Sequence, residues 1–413
     1  MHNHFTFEAM AQQTEILIVG GGIWGLSTAY HLAKFGQKDI LVLERNEALA
    51  AETTPQAAGL VGQIRSSVTM LRAVRYALEL FSQFPKETSL RQTGSLMVAL
   101  TPERMEAYTR QIEKANLNGI EADYVSHTEM AHLAPAMDIT KIEGGYFVPN
   151  DGYVDPEQCA LAYAAAAKDL GVQIRLNTLV IGFRQRNGEI LGVETEEGFI
   201  ASNHVVITAG PWGAALAKEV GITTAVQPIR HQRVRTGPTP GIPDNHPVVR
   251  VTDVSCYLRP EKDGYLYGYF EPEPVSIDLE AMPADFRTGD IKPPVEVMAD
   301  AQKRLTPIFP ILKNLDIAEY KRGITTFAPD GAYMIGPVPE IDRLYLAIGC
   351  AALGIAGSAA VGRWLAKWVI DGDPGEDLDI FSHQRFGTQA ADQEWLRRES
   401  EQFYANYYGI RPE

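Results

Sequence analysis

A glycine-rich turn near the start of the chain sets the strongest constraint on its fold. An apolar run at residues 16–19 leads into GGGIWG at residues 20–25, a pattern that predicts a buried strand, a tight turn and a helix. Gly20 permits the turn, Gly22 lets a bound group approach the backbone, and Gly25 lets the helix pack closely on the strand. The helix N-terminus presents backbone N–H groups that can bind a pyrophosphate.

The next strand places a carboxylate beside this turn. Residues 40–43 are apolar and Glu44 follows them, about 20 residues beyond the turn, where a carboxylate can accept hydrogen bonds from ribose hydroxyls. Residues 26–35 have helical spacing of apolar side chains, so strand, turn, helix and second strand are in register. We therefore predict a site for the ADP half of a dinucleotide, although this unit alone does not distinguish FAD from NAD.

The composition is that of an acidic globular protein. Of 413 residues, 45% are hydrophobic and 22% are charged, which is typical of globular chains, and no apolar run approaches the roughly 20 residues that span a bilayer. The net charge of −15 disfavours nucleic acid and anionic lipid as partners. The three cysteines form no CxxC motif and the nine histidines form no HExxH motif, so we expect neither a disulfide framework nor a metal site.

The N-terminus and the cysteines together predict a cytoplasmic protein. Residues 1–14 lack the basic flank and apolar segment of a signal peptide, and we expect them to form a short frayed extension. Cys159, Cys256 and Cys350 are widely spaced, which suits a reducing compartment.

Apolar strands near residues 16, 40, 205 and 344 recur along the chain. They predict a parallel sheet assembled from separated stretches, with two insertions that form a second domain of antiparallel strands over the reactive end of the cofactor. The predicted boundaries are residues 14–88, 150–226 and 328–372 for the nucleotide-binding domain, residues 89–149 and 227–327 for the second domain, and residues 373–413 for a helical tail.

Segments spread over nearly the whole chain resemble the FAD-dependent amine oxidoreductases of the D-amino-acid oxidase/sarcosine oxidase superfamily. The subgroup with the most similar segments is the flavin domain of dimethylglycine and sarcosine dehydrogenases. The resemblance implies an α/β fold with a discontinuous Rossmann-type FAD-binding domain and an inserted antiparallel β-sheet substrate domain. It is carried by GGGIWGLSTAYHL (20–32), QAAGLVGQIRSS (56–67), GYVDP (152–156), VVITAGPWG (205–213), IRHQRV (229–234), APDGAYMIGPVP (328–339) and LYLAIGCAALGIAGSAAVG (344–362).

The resemblance implies contacts to FAD from several of these segments. It places Val180 near the adenine, residues 209–212 near the ADP half, and residues 349–355 along the ribityl chain and ring edge. The extra glycine-lined junctions at residues 210 and 349–354 suit FAD better than NAD, because a flavin needs contacts far from the ADP site. The implied FAD-binding residues are Gly20, Gly22, Ile23, Trp24, Gly25, Glu44, Arg45, Gln56, Ala58, Gly59, Leu60, Val180, Ala209, Gly210, Trp212, Gly349, Gly354 and Ile355.

Three positions depart from the family pattern. Gln56 stands where dimethylglycine dehydrogenases carry a flavin-linked histidine, and Gly323 stands where monomeric sarcosine oxidases carry a flavin-linked cysteine. We therefore predict FAD without a covalent bond to the protein. Ala356 replaces a lysine that binds the substrate carboxylate in monomeric sarcosine oxidases, whereas Arg65 matches an arginine beside that lysine. A single guanidinium can still bind a carboxylate through two hydrogen bonds.

The implied reaction is hydride transfer from a carbon next to nitrogen to flavin N5. The amine must be neutral for this step, which favours an apolar, aromatic pocket. Tyr267 and Tyr257 fit as walls and hydroxyl donors, and His231 could contact the substrate or the flavin. The alternatives are half-buried strand tyrosines, a structural histidine and, for Arg65, a surface ion pair.

The predicted function is oxidation of an N-methylated or secondary amino acid such as dimethylglycine or sarcosine, with oxygen or a carrier protein as electron acceptor. The imine product would hydrolyse to formaldehyde and the demethylated amine. A D-amino-acid or imino-acid dehydrogenase, and a flavin-binding subunit without turnover in a larger complex, stay open as alternatives. An NAD-linked dehydrogenase would need a nicotinamide site that the sequence does not provide. The sequence leaves the oligomeric state open.

Overall fold

The computed structural model describes residues 12–84 and 86–410. The expectation for residues 1–11 lies outside this range. The frayed extension was predicted too long, because residues 12–14 belong to the first strand. Thr14 is only 3% exposed, and its hydroxyl donates to Asp39 Oδ1 at 3.0 Å.

A first sheet is built around five parallel strands. Their spatial order is β18, β11, β1, β2, β8, and β17 and the hairpin of β9 and β10 extend the sheet with antiparallel pairs. The predicted apolar strands near residues 16, 40, 205 and 344 are thus neighbours in one sheet. The strands are β1 (Gln12–Val19), β2 (Ile40–Leu43), β8 (Gln173–Arg175), β9 (Val180–Arg186), β10 (Glu189–Thr195), β11 (Gly198–Ile207), β17 (Met334–Pro337) and β18 (Leu344–Ile348).

A second sheet joins strands from the two predicted insertions. Its order is β16, β12, β15, β14, β13, β4, β6, β5. The pairing is antiparallel as expected except between β4 and β13, which are parallel and connect the two insertions. The strands are β4 (Ser95–Ala99), β5 (Asp123–Tyr124), β6 (Gly144–Val148), β12 (Gln227–Thr236), β13 (Val248–Val251), β14 (Cys256–Glu261), β15 (Gly264–Tyr269) and β16 (Ile317–Phe327). The short strands β3 (Leu60–Val61) and β7 (Gly152–Tyr153) pair separately.

Helices cover both sheets. The described residues form α1 (Ile23–Lys34), α2 (Val68–Phe81), α3 (Pro102–Leu117), α4 (His127–Leu133), α5 (Pro156–Asp169), α6 (Gly213–Glu219), α7 (Val295–Leu305), α8 (Ser358–Asp371) and α9 (Gln393–Ala405). None of the helices in residues 12–84 and 86–410 is long and apolar enough to cross a membrane.

Side chains of the central strands alternate between the two faces of the first sheet, and each face has its own hydrophobic cluster. Ile16 and Ile18 face a cluster built with α1, α5 and α8, whereas Leu17 and Val19 face a cluster built with β9, β10 and α6. Successive side chains of a strand point to opposite faces, so a strand buried on both faces must be apolar throughout. This packing holds β1 at the centre of the sheet and aims the turn after it at the sheet's carboxyl edge.

Candidate active site

One large cavity lies between the two sheets. Its volume is about 950 Å³, and its lining starts at the carboxyl ends of β1, β2, β11 and β18 and continues to the second sheet, α3 and the residues after α9. Open parallel sheets bind ligands outside the carboxyl ends of their strands. The cavity is therefore in the position where this kind of sheet binds a ligand.

The glycine turn at one end of the cavity has the predicted geometry. Gly20 has a φ of +111°, and a Cβ on Gly25 would lie 2.0 Å from the carbonyl oxygen of Gly20, so the turn and the close packing both require glycine. A Cβ on Gly22 would meet only Thr54 Oγ1, at 3.8 Å. The backbone at Gly22 is open toward the cavity, where a diphosphate could approach the N-terminus of α1.

Glu44 ends β2 beside this turn. Its Oε2 accepts the backbone N–H of Gly21 at 2.8 Å, and its Oε1 accepts the backbone N–H of Asn46 at 2.9 Å. The carboxylate thus holds the turn in place while lining the cavity. Arg45, next in the chain, lies over the Trp212 ring at 3.8 Å and pairs with Glu52 at 3.0 Å.

The loop after β18 is strained where it lines the cavity. Gly349, Ala351 and Ala352 have φ values of +73°, +46° and +57°, and alanine rarely adopts this left-handed region. Thr325 Oγ1 and the carbonyl of Thr326 accept the N–H groups of Ala352 and Ala351 at 3.1 and 2.8 Å. Strand β16 therefore fixes the loop in a shape that turns its backbone toward the cavity.

Trp24 connects the glycine turn before α1 to the loop after β18. Its indole N–H donates to the carbonyl of Gly354 at 2.8 Å, so a hydrogen bond connects the first turn of α1 to the loop after β18. Trp24 also packs edge-on against Tyr333, with ring centroids 5.1 Å apart.

The two positions at which relatives attach flavin lie against each other. A Cβ on Gly323 would be 2.7 Å from the Cβ of Gln56, and both residues line the cavity. Arg233 and Arg259, from β12 and β14, donate to the carbonyls of Gln56 and Ala58 at 3.0 and 2.8 Å. The second sheet thereby positions the segment at residues 56–58.

His231 lies at the centre of an aromatic wall. Its Nδ1 bonds the Tyr404 hydroxyl at 2.8 Å and its Nε2 bonds the Tyr257 hydroxyl at 3.2 Å. Burial, with a smaller contribution from the Arg233 charge, lowers the pKa of His231 to about 3. The imidazole is therefore neutral at ordinary pH. Phe270 lies 4.6 Å from its ring and stacks on Tyr407 at 4.0 Å, which completes the wall.

Tyr267 does not belong to this wall. The expected alternation is present, but it turns Tyr265, Tyr267 and Tyr269 to the other face of the second sheet, where they pack in a cluster with residues of α7 such as Met298. Tyr257 lies opposite Gly268 and faces the cavity. The prediction of Tyr267 as a pocket wall is therefore corrected, because α7 buries its face of the sheet.

Arg65 lies at the far end of the cavity from the glycine turn. Its Nη1 donates to the carbonyl of Ile64 at 3.0 Å, and its buried Nε has no hydrogen-bond partner among the described residues. Burial lowers the pKa of this guanidinium, as does the charge of Arg250. An anion that enters the cavity would relieve the cost of burying this charge.

Arg250 is a second cation at this end. Its Nη1 donates to Ser95 Oγ at 3.0 Å, and a Cβ on Gly62 would lie 2.9 Å from its Nη2 and 3.1 Å from Asp151 Oδ2. Burial raises the pKa of the Asp151 carboxyl, and the Arg250 charge opposes this. Arg250 and Asp151 thus face each other across Gly62.

The cavity brings together most of the residues that the sequence predicted. Gly25 lies behind it in the helix packing, and Ala356, the position of the family lysine, is in the lining. The predicted residues that line it are Gly20, Gly22, Ile23, Trp24, Glu44, Arg45, Gln56, Ala58, Gly59, Leu60, Arg65, Val180, Ala209, Gly210, Trp212, His231, Tyr257, Gly349, Gly354 and Ile355.

Several lining residues were missed by sequence reasoning. Arg250 interrupts the apolar strand VVRV, and a charge inside a buried strand is a sign that could have identified it. Phe270, Tyr407 and Tyr408 belong to aromatic groups in which the pattern alone does not separate core residues from cavity residues. Among the described residues, no group of three His, Cys, Asp or Glu side chains is arranged to hold a metal ion.

Comparison with known proteins identifies the family of the chain. Residues 15–368 match the family described as FAD dependent oxidoreductase. The chain is 29% identical over 398 residues to 4-methylaminobutanoate oxidase (formaldehyde-forming) of Paenarthrobacter nicotinovorans, covering 95% of this chain and 48% of that protein. It is 30% identical over 388 residues to mitochondrial dimethylglycine dehydrogenase of Rattus norvegicus, covering 91% of this chain and 45% of that protein.

A further relative and a solved structure extend the comparison. The chain is 30% identical to the mitochondrial pyruvate dehydrogenase phosphatase regulatory subunit of Mus musculus, covering 94% of this chain and 45% of that protein. The structure of L-proline dehydrogenase from P. horikoshii superposes with a TM-score of 0.83 at 27% identity, covering 91% of this chain and 98% of that chain. The chain spans about half the length of the curated relatives it matches.

Proposed function

The chain belongs to the family of FAD-dependent oxidoreductases, and from this premise we propose that it oxidises an N-methylated or secondary amino acid such as dimethylglycine or sarcosine. A hydride leaves the carbon next to nitrogen, and water splits the resulting imine to formaldehyde and the demethylated amine. The predicted family, fold class and FAD cofactor are confirmed by the family match and the structural likeness.

One observation carries the proposal: a single cavity joins the glycine turn to Arg65 and the aromatic wall around His231. A ligand that binds the N-terminus of α1 with its phosphates and extends past Gly354 would end beside that wall. The substrate end then offers what an amino acid needs, a cation for its carboxylate and aromatic surface for its alkylated nitrogen.

The residues fit FAD at the open backbone of Gly22, at Glu44 and along the strained loop after β18. When bound, FAD would supply an acceptor for two electrons and a proton. The residues at positions 56 and 323 support binding without a covalent bond, because neither glutamine nor glycine offers a nucleophile that could attach to a flavin. Acid precipitation of the holoprotein should therefore release all the flavin into the supernatant.

Residues of the cavity would bind the amino acid and lower the pKa of its amine. Arg65 would bind the carboxylate, and Tyr257, Phe270 and Tyr407 would surround the alkylated nitrogen with apolar surface. Such surroundings lower the pKa of an amine, because they disfavour its charged form. His231, held neutral between two tyrosine hydroxyls, adds no positive charge that would repel developing iminium character.

A cyclic secondary amino acid is the second candidate. The same wall and cation suit proline, whose nitrogen already carries two carbon substituents, and the solved relative is titled L-proline dehydrogenase. The relative named as a regulatory subunit supports a third outcome, a flavin protein without turnover.

An anaerobic titration of the purified holoprotein tests the proposal. N,N-dimethylglycine and sarcosine should bleach the visible flavin absorbance, whereas trimethylglycine should not, because its quaternary nitrogen has no lone pair. Bleaching by proline alone would select the second candidate. A yellow protein that none of these amines reduces would contradict the oxidation of these amines and favour a subunit without turnover.

A further inference from the structure

The substrate end of the cavity opens to solvent along α3. The lining residues of this helix recur on one side, from Arg104 through Gln111 to Lys114. Arg104 is 7% exposed, Gln111 and Lys114 are half-buried, and Arg110 is exposed. The cavity lining thus includes both a buried and an exposed residue of α3, so the cavity reaches the surface along this helix. We call this opening the α3 mouth and define it by Arg104, Arg110, Gln111 and Lys114.

Positive charge is concentrated along this passage in a protein of net charge −15. The cavity's cations at this end are Arg65, Arg104, Arg110, Lys114 and Arg250. Of the three carboxylates among the described lining residues, Asp151 lies at this end, whereas Glu44 and Glu52 lie near the glycine turn. Arg104 pairs with Asp253 at 3.2 Å. Within the described part of the chain, Arg65, Arg110 and Lys114 have no carboxylate at ion-pair distance.

Lys114, in the α3 mouth, contacts the chain next to Arg65. The Lys114 ammonium donates to the carbonyl of Ser66, the residue directly after Arg65 in the chain. The acidic residues of α3, Glu103, Glu106 and Glu113, are outside the cavity lining. Lys114 is therefore held against the backbone one residue from Arg65, and both residues line the cavity.

We propose that the α3 mouth is the substrate entrance and that Lys114 and Arg110 bind a second acidic group of the substrate, beyond the carboxylate bound by Arg65. The inference rests on the proposed function and adds to it a preference for N-alkylated amino acids with two acidic groups. One carboxylate would leave these cations without a partner, whereas a dicarboxylate would neutralise them.

A matched pair of substrates isolates the second charge. N-methylglutamate and N-methylglutamine have nearly the same shape and differ in one carboxylate. We expect N-methylglutamate to have a kcat/KM about tenfold or more higher, since a charge-assisted hydrogen bond is roughly twice as strong as a neutral one. In the Arg110→Gln/Lys114→Gln variant the two values should become nearly equal. The control variant Arg72→Gln/Lys168→Gln, with the same charge change on exposed residues outside the cavity lining, should keep the preference.

Separate measurements of ligand binding and of flavin reduction distinguish a failure of this inference from a failure of the proposed function. Calorimetric titration of the holoprotein measures the same preference without turnover. Selective binding of N-methylglutamate without bleaching would support the α3 mouth and contradict amine oxidation. Bleaching by both compounds with equal kcat/KM, or a preference unchanged in the Arg110→Gln/Lys114→Gln variant, would overturn the inference. Failure of both compounds to bind would overturn it as well.

Discussion

Arg65 is a half-buried residue that lines the cavity, and its buried Nε has no hydrogen-bond partner among the described residues. A buried cation is costly unless an anion and hydrogen bonds compensate it. Its pKa is lowered by burial, yet an arginine remains charged in proteins. We therefore propose that Arg65 binds the substrate carboxylate, since Ala356 stands at the position of the family lysine.

Replacing Arg65 by glutamine tests this role. Loss of a charge-assisted, two-point hydrogen bond costs roughly 3 kcal/mol, so kcat/KM for dimethylglycine should fall by about a hundredfold, mainly through KM. Steady-state kinetics measures this, and the bound flavin spectrum should be unchanged. Arg184→Gln, which removes an exposed arginine paired with Glu194, is the control. An unaltered KM in Arg65→Gln would contradict the assignment.

His231 determines what the pH dependence should look like. Because burial lowers its pKa to about 3, it binds no proton between pH 5 and pH 9, and the rate should rise with pH only as the substrate amine loses its proton. His231→Gln keeps a donor and an acceptor, so the rate of flavin reduction can change while its apparent pKa stays the same. Stopped-flow reduction across this pH range measures both. An apparent pKa that disappears in the variant would mean that His231 itself titrates.

The sequence predicted the role of a residue where that role depends on its neighbours in the chain, and failed where it depends on packing against a distant element. The turn geometry at Gly20, Gly22 and Gly25 follows from backbone sterics within a few residues, and the sequence predicted it. The side of the sheet taken by Tyr267 depends on where α7 packs, which strand alternation does not determine. The catalytic roles of Arg65, His231 and Tyr257 stay predictions.

At the scale of elements, α1 and the turn before it form the proposed nucleotide site. Two alanine substitutions separate its packing from its binding surface. Gly25→Ala places a Cβ 2.0 Å from a backbone oxygen, so it should destabilise the fold and lower the yield of folded protein. Gly22→Ala meets only open space and Thr54, so the apoprotein should fold normally and bind FAD weakly.

Thermal unfolding of the two apoproteins and their flavin content after saturation measure this difference. A Gly22→Ala variant that retains full FAD occupancy would contradict the assignment of this backbone to the diphosphate.

Parallel pairing was predictable where strands were strongly apolar. Residues 16–19 and 205–207 pair as expected, because strands buried on both faces are apolar throughout. The parallel pair of β4 and β13 was not predictable, because about 150 residues separate its strands and short antiparallel signals dominate locally. The cationic side of α3 was missed for a related reason, since its meaning depends on the cavity beside it.

At the scale of the whole molecule, the cavity takes its lining from both sheets and from the residues after α9. Bound FAD should therefore stabilise the whole chain. At a hundred times its Kd, the gain in unfolding free energy is about 2.7 kcal/mol, which corresponds to a rise of a few degrees in Tm. Calorimetry of apoprotein and holoprotein measures it. The same FAD concentration should not raise the Tm of the Gly22→Ala variant, and an equal rise would place FAD elsewhere.

The most direct measurement is a single anaerobic turnover of the holoprotein with N,N-dimethylglycine, following flavin absorbance and formaldehyde together. The proposed function predicts one formaldehyde for each flavin reduced, because the hydride leaves an N-methyl carbon and water then splits the imine. Reduced flavin without formaldehyde would mean that a different carbon is oxidised. A yellow protein that dimethylglycine leaves oxidised would contradict the proposed oxidation of this amine.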